Sequence, residues 1–299
     1  MSGNSRVIFS FYKEVNDDSV TSYKKEQLKL YKDKLIKRQH LYAESCNADY
    51  FVYENSNLLL NEYDSIQFRK IEKLEELANE YDEVLYLDLD IIPFDFKNFF
   101  KEHDLSKICC HEIDGKEWGI DRYKTNVTKM NNAKIIKVMK MNDAEINSLR
   151  EKESRYLYEE IDSMNMWLKA SSKNAMLLLE NHTSYNHNII NTGVIGGNKD
   201  SIKQLKFTEN LQYMIDLIDK AKYDNIYSKK VQELIKPNNE VFFSYLIEKN
   251  NIPITNINKN WNFIVDDYKS GLTNVWKEIS FLHVINKDFE HYNRRYNLF

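Results

Sequence analysis

Two aspartates one residue apart, Asp88 and Asp90, close the apolar run Val84-Leu85-Tyr86-Leu87 and precede a second one, Ile91-Ile92-Pro93-Phe94. On a strand, period-two alternation sends both side chains to the same side. Two neighbouring carboxylates repel each other unless a proton or a cation sits between them. A hard divalent ion relieves that repulsion, and Mg²⁺ or Mn²⁺ characteristically couples one or two carboxylates to phosphate oxygens. The pair therefore reads as a metal-diphosphate site. A bare Asp-x-Asp also serves as a polar strand exit, but charges are seldom set between two buried runs without a partner.

Two further stretches bear on that chemistry. His283 ends the apolar run in "FLHVINKDF", and Lys287 comes four residues later. A histidine beside an apolar face is commonly a satisfied structural side chain; given a divalent site elsewhere, His283 can complete the coordination and Lys287 can neutralise phosphate oxygens. The chain has seven glycines, and three of them, Gly193, Gly196 and Gly197, fall within "NTGVIGG". Such clustering marks a place where backbone approaches something closely or turns sharply, and a tight turn accounts for it as well.

The elements that must hold these residues are set by periodicity. "RVIFSFY" (6–12) and "ADYFVYE" (48–54) read as strands, with a helix over roughly 19–40 between them carrying Val20, Tyr23, Leu28, Tyr31 and Leu35. A second helix, with Ile71, Leu74, Leu77 and Ala78 on one face and Asp64 and Ser65 as caps, leads into "VLYLDLD". "SKICCHE", "NIINTGVIGG", "IPITNI" and "ISFLHVI" read as further strands. Strands alternating with helices predict an α/β fold with a mostly parallel central sheet, and such sheets bind ligands at the carboxyl ends of their strands, where Asp88 and Asp90 fall. From 114 to 187 the chain becomes rich in Lys, Asn, Met and Glu, with weak helical periodicity and no Pro/Gly/Ser linker on either side. It reads as a helical insertion within one domain rather than a separate domain.

Bulk properties exclude several classes. With 42 basic against 46 acidic side chains, well mixed along the chain, phosphate-driven nucleic-acid binding is not expected. No run approaches the length of a membrane span, and the N-terminus lacks the pattern of a secretory signal, so a cytoplasmic location is expected. The C-terminal "RRYNLF" offers at most a peripheral membrane contact. Cys46, Cys109 and Cys110 have neither disulfide-framework nor zinc-site spacing and read as reduced and buried. The Asn-x-Thr sequons at Asn126 and Asn181 carry no meaning without a secretory context.

In this order, the first strand, "YDEVLYLDLDIIPF", "NTGVIGG", "NNEVFFSYLIEKNNIPITNINKNWN" and "FLHVINKDF" resemble the GT-A (Rossmann-like) superfamily of nucleotide-sugar glycosyltransferases, closest in flavour to the glycogenin and lipopolysaccharide-galactosyltransferase group. The resemblance spans the chain apart from the insertion, and implies one GT-A domain with a nucleotide-binding half (1–113), the insertion (114–187) and an acceptor/sugar half (188–299). It implies Asp88, Asp90 and His283 as ligands of Mn²⁺ or Mg²⁺, with Asp88 also leaning toward the ribose. Lys287 matches the residue that touches the leaving diphosphate. Phe9, Ser10, Phe11 and Tyr12 fall where the family holds the base, Arg69 and Lys70 where relatives approach the donor, and Asn191, Thr192 and Gly193 along the sugar pocket. Implied partners are a nucleotide-sugar donor, UDP-linked by preference, and a glycan or other hydroxyl acceptor. Glu240 stands where relatives carry Asp-Gln, and "HVINKDF" lacks their Gly and Lys-Pro-Trp. An inverting reaction would need a carboxylate base, with Glu240 first and Asp266 or Asp267 behind it; in a retaining one Glu240 would position the sugar. Glu240 also fits as an ordinary acid in the first turn of a helix. In the insertion Trp118, Tyr156 and Trp167 offer flat surfaces for a sugar, though such aromatics are more often core.

Two other readings compete. "LYLDLD" also looks like the nucleophile strand of a haloacid-dehalogenase-type phosphatase, with Asp88 attacking phosphate and "FIVDD" as its acidic pair. Ile92 and the strand's distance from the N-terminus count against that. A nucleotide-sugar-binding protein without turnover is the third.

Overall fold

The computed structural model describes residues 5–12, 21–54, 62–114, 164–182, 186–223, 237–265 and 278–299. Most of the expected insertion, with Trp118, Asn126 and Tyr156, and the pair Asp266–Asp267 lie outside the described residues. By contact the chain divides into two compact units, one of residues 1–112, 190–216 and 237–299, the other of 113–189 and 217–236.

The first unit is built on β1 (Arg6–Tyr12), α1 (Ser22–Cys46), β2 (Asp49–Glu54), α2 (Glu62–Leu77), β3 (Glu83–Leu87), β4 (Ile91–Pro93), α3 (Phe99–Glu102) and β5 (Ile108–Asp114). After α4 (Met164–Leu179) come β6 (Asn188–Asn198), α5 (Lys199–Lys203), α6 (Phe207–Tyr223), α7 (Asn239–Lys249), β7 (Ile254–Asn256), a 3₁₀ turn (Lys259–Trp261), β8 (Phe263–Val265), β9 (Phe281–Val284) and α8 (Phe289–Tyr296). A six-stranded sheet has the order β2-β1-β3-β6-β5-β7, and a three-stranded one the order β4-β9-β8. The β1–β2, β1–β3 and β5–β7 pairs are parallel, and β6 runs antiparallel to β3. The fold is therefore α/β with a mainly parallel central sheet, as the alternation of strands and helices predicts.

Helix α1 begins at the Thr21 cap, whose hydroxyl accepts from the Lys24 N–H, and runs six residues past the expected end. Asn47 stops it in the left-handed conformation, φ 54°, a position that asparagine tolerates well. Its buried stripe is Gln27, Tyr31, Leu35, Gln39, Tyr42, Ala43 and Cys46. One face of β1 and β3 packs on it through Ile8, Leu85 and Leu87, joined by Ile91, Phe99, Val194, Trp261 and Phe281. The three cysteines are free and buried, and burial pushes the Cys109 thiol up to about 12.

The small sheet was not foreseen, because β4 and β8 are each only three residues long. In it β9 lies between the other two strands and sets His283 level with both: β4 pairs antiparallel with β9, Ile91 opposite His283, while β8 pairs parallel with β9, Ile264 opposite His283. Within the second unit, the ammonium of buried Lys173 on α4 donates to the Asn186 side chain (2.8 Å) and to the Asn188 carbonyl (2.9 Å). Among the described residues no helix is long and apolar enough to cross a membrane.

Candidate functional site

Asp88 directly follows β3, and Asp90 directly precedes β4. The two do not lie on one strand. The Ile91 N–H donates to the Asp88 carbonyl (3.0 Å), closing a tight turn, while the Asp88 N–H continues the β3–β6 ladder to the Gly193 carbonyl (2.8 Å). The carboxylates are brought to one place by this turn rather than by strand alternation. Gln39, wholly buried on α1, holds the turn from beneath: its amide donates to the carbonyls of Asp88 (3.0 Å) and Ile91 (2.8 Å), and its own carbonyl accepts from Ser10 Oγ (2.5 Å) and the Tyr50 hydroxyl (2.9 Å).

Opposite Ile91, the β4–β9 register sets His283. Its Nε2 lies 3.5 Å from Asp90 Oδ1 and 3.9 Å from Asp88 Oδ2, too far for sound hydrogen bonds. One ligand atom from each of the three residues falls within 4.8 Å of the others. The remaining oxygens are committed: Asp88 Oδ1 faces Lys70 Nζ at 3.1 Å and accepts from the Tyr86 hydroxyl, and Asp90 Oδ2 is paired with Lys287. Burial alone would raise the Asp90 carboxyl, but Lys287 and then His283 outweigh it and hold the group far below the usual carboxylate range. Burial and the Asp88 charge push the Tyr86 hydroxyl well above its ordinary value, so it stays a donor. Two carboxylate oxygens and an imidazole nitrogen, with gaps between them too wide for direct bonds, fit a divalent cation.

The glycine of "NTG" is explained by approach, not by a turn. None of the described glycines has positive φ, and all three of the cluster lie within β6. A Cβ at Gly193 would meet His283 Cε1 at 2.6 Å and Nδ1 at 2.9 Å. At Gly196 it would meet the Phe99 ring at 2.5 Å, and at Gly197 the Ser201 hydroxyl at 2.5 Å.

Behind the histidine, Asn191 Nδ2 donates to Glu240 Oε1 (3.0 Å), and Thr192 Oγ1 accepts from Asn239 Nδ2 (2.5 Å). Glu240 sits in the first turn of α7, capped by the Asn238 side chain. Of the residues expected from the sequence, the structure thus gathers Asp88, Asp90, His283, Lys287 and Lys70, with Asn191, Thr192, Gly193 and Glu240 adjoining. Phe9 and Ser10 have no exposed surface: Phe9 packs on Tyr86, and Ser10 donates to Gln39 and to the Leu87 carbonyl. Phe11 stacks near Tyr53, and Tyr12 lies beneath the Lys32 ammonium at 3.9 Å. Arg69 points along its own helix to Glu72 and Glu76. Tyr86 and Gln39 were not singled out from the sequence, and Asn262 enters there only as half of the Trp-Asn pair that ends "NKNWN", without a role. For Gln39 a signal exists, an amide on the apolar stripe of α1.

The chain is thus an α/β protein with an Asp-Asp-His cluster and two lysines at the carboxyl end of a central strand. No protein-family model and no curated protein matches it. Among solved structures it is similar to a glycosyltransferase involved in the glycosylation of the major capsid of PBCV-1 (14% identity, 94% of each chain, TM-score 0.44). It is also similar to mouse xyloside xylosyltransferase 1 (10% identity, 94% of this chain and 97% of that one, TM-score 0.42). A third likeness is to the galactosyltransferase LgtC in complex with donor and acceptor sugar analogs (11% identity, 94% of this chain and 87% of that one, TM-score 0.40). At these scores the likenesses carry no function across, and the chemistry open to the site is set by its own geometry.

Proposed function

We propose that the protein is a metal-dependent glycosyltransferase of the GT-A kind, moving a sugar from a nucleoside-diphosphate donor, UDP-linked by preference, to a glycan or other hydroxyl acceptor. The observation that carries this reading is the convergence of Asp88, Asp90 and His283 beside Lys70 and Lys287. Asp88 and Asp90 would each lend the oxygen that faces His283, and His283 would lend Nε2. The imidazole tilts this donor set from Mg²⁺ toward a softer first-row ion such as Mn²⁺. A divalent ion bound there supplies electrostatic stabilisation of charge developing on a departing diphosphate. Lys287, now on Asp90, is placed to turn onto phosphate oxygens as a charge-assisted donor. Lys70 and Tyr86 hold Asp88 in orientation through its Oδ1.

Asn191 and Glu240 adjoin this centre. Glu240 Oε1 already accepts from Asn191 Nδ2 and, at 3.4 Å, from the Thr192 N–H. Those bonds favour a role in positioning the sugar-facing part of β6 over one as the proton-accepting base, and so agree better with a retaining reaction than an inverting one. The test is calorimetry with UDP, GDP and their common sugar conjugates, with Mn²⁺ and with EDTA, on the wild type and on Asp90→Ala. One nucleotide whose binding disappears with EDTA and with the substitution is the expected result. Absence of metal-dependent nucleotide binding under every condition would sink the reading, and release of phosphate from a phosphomonoester, lost in Asp88→Asn, would replace it with the phosphatase.

A further inference from the structure

His283 is held from behind by a chain of side chains whose polarity can be traced from fixed ends. The backbone N–H of Gly193 can only donate, and it donates to Asn191 Oδ1 (3.1 Å). The Glu240 carboxylate can only accept, and Asn191 Nδ2 donates to it (3.0 Å). Turning the Asn191 amide over would set NH₂ against N–H and carbonyl against carboxylate, so its orientation is fixed from two sides. Asn191 Oδ1 also accepts from Asn262 Nδ2 (2.8 Å). The Asn262 carbonyl must then point the other way, where it lies 2.9 Å from His283 Nδ1. A carbonyl oxygen and an unprotonated ring nitrogen are both acceptors and cannot bond each other, so a proton belongs on Nδ1. Asn262 is wholly buried and His283 only 3% exposed, so the bond lies away from bulk solvent. The missing Cβ at Gly193 lets the ring lie flush against β6, with Cε1 and Nδ1 at the contact.

We infer that Asn262 is a positioning residue that fixes His283 as its Nδ1–H tautomer, so that Nε2 turns a lone pair toward the space between Asp88 and Asp90. The tautomer is a property of the metal-free protein; its consequence for cation affinity rests on the metal-site reading. The direction of the chain is dictated from Gly193 and Glu240, which assigns Glu240 a place in ordering the site without contact with the reacting atoms. Outer partners of ligating histidines commonly act in this way.

The test compares Asn262→Leu with Asn262→Asp. Leucine keeps the volume and removes the acceptor. Aspartate keeps an acceptor for Nδ1–H but disturbs the contact with Asn191 at least as much. Long-range ¹H–¹⁵N spectra of metal-free protein at alkaline pH, with His283 assigned by His283→Gln, read the tautomer directly. Expected are a protonated Nδ1 and an unprotonated Nε2 in the wild type and in Asn262→Asp, and loss of that signature in Asn262→Leu. Mn²⁺ affinity, read by electron paramagnetic resonance without nucleotide, should fall about tenfold to a hundredfold in Asn262→Leu and be retained in Asn262→Asp. A purely packing role would instead damage the aspartate variant as much as the leucine one. The wild-type spectrum decides even where a variant fails to fold: a proton on Nε2 overturns the inference. So does an unchanged tautomer in Asn262→Leu. The expected spectra in a protein that binds no Mn²⁺ would uphold the tautomer and remove the metal reading instead.

Discussion

On the proposed metal site, Lys287 and a divalent cation would compete for the same carboxylate, Asp90. Asp88 and Asp90 carry two negative charges, and Lys70 and Lys287 already balance them. A divalent ion entering this neutral cluster leaves it with an excess of two positive charges, which a diphosphate would offset. Lys287→Met keeps the aliphatic stem and deletes the ammonium next to Asp90 Oδ2. Two unit charges 4 Å apart interact by about 1 kcal/mol in water and about 4 kcal/mol at an effective dielectric of 20. The Lys287 side chain is 27% exposed and can swing toward solvent, so the smaller end applies. Doubled for a divalent ion, relief of repulsion should be roughly 1–2 kcal/mol, a tightening of Mn²⁺ binding by about tenfold in the absence of nucleotide. The same substitution removes a charge-assisted bond to phosphate, so nucleotide affinity at saturating Mn²⁺ should drop by about 1.5–3 kcal/mol. Calorimetry of Mn²⁺ alone, then of UDP with Mn²⁺ in excess, reads both. The signature is the opposite sign of the two changes. If Mn²⁺ affinity falls or stays the same in Lys287→Met, Lys287 does not compete for Asp90, and the proposed charge balance is refuted.

Other substitutions separate the parts of the site. Gly193→Ala should abolish metal-dependent nucleotide binding while Gly196→Ala, which presses on Phe99 in the core, should lower the melting temperature and spare it; packing strain of about 1–3 kcal/mol is expected at either place. Gln39→Leu leaves the Asp88 and Ile91 carbonyls without their donor and should destabilise the fold by roughly 2–4 kcal/mol by urea unfolding, with weakened Mn²⁺ binding. His103 lies between Phe99 (4.5 Å) and Trp261 (4.8 Å), and its Nε2 has no partner among the described residues. Burial lowers it to about 4, so the unfolded chain binds the extra proton first. Stability should therefore be full above about pH 6.5 and decline toward pH 4 by about 2–3 kcal/mol, a decline that His103→Phe should largely remove in urea titrations at successive pH values.

The long, regular elements were legible because their periods are. The runs at 6–12, 83–87 and 188–198 are too apolar and too well bounded to be anything but buried strands, and 48–54 reads as a strand through its aromatic and β-branched residues although it stays half-exposed. Helix α2 shows its face through Ile71, Leu74 and Leu77, all buried in the structure. What escaped was set by contacts distant in sequence. A three-residue strand such as Ile91–Pro93 has no period of its own and exists only because β9 pairs with it. The aspartates do converge, yet through a turn stitched by Gln39, which strand alternation cannot reveal. The glycines left close approach and a sharp turn both open, and what decides for Gly193, an imidazole ninety positions later, has no local signal. Asn262 closes the stretch "NKNWN" as half of a Trp-Asn pair that contributes to the resemblance, but nothing near it in the sequence tells that its partner is His283.

The pairing of β4 with β9 also sets an order in time. During synthesis the Asp88–Asp90 turn, α1 and α2 leave the ribosome long before β9 does, since Lys287 comes 197 positions after Asp90. Until β9 arrives, Asp90 has neither His283 nor Lys287, and only Asp88 has its lysine. Closing so long a loop adds to the entropic barrier of the final pairing. On the proposed metal site, cation capture would report the pairing of β9 with β4, and in refolding experiments it should trail the recovery of far-ultraviolet ellipticity.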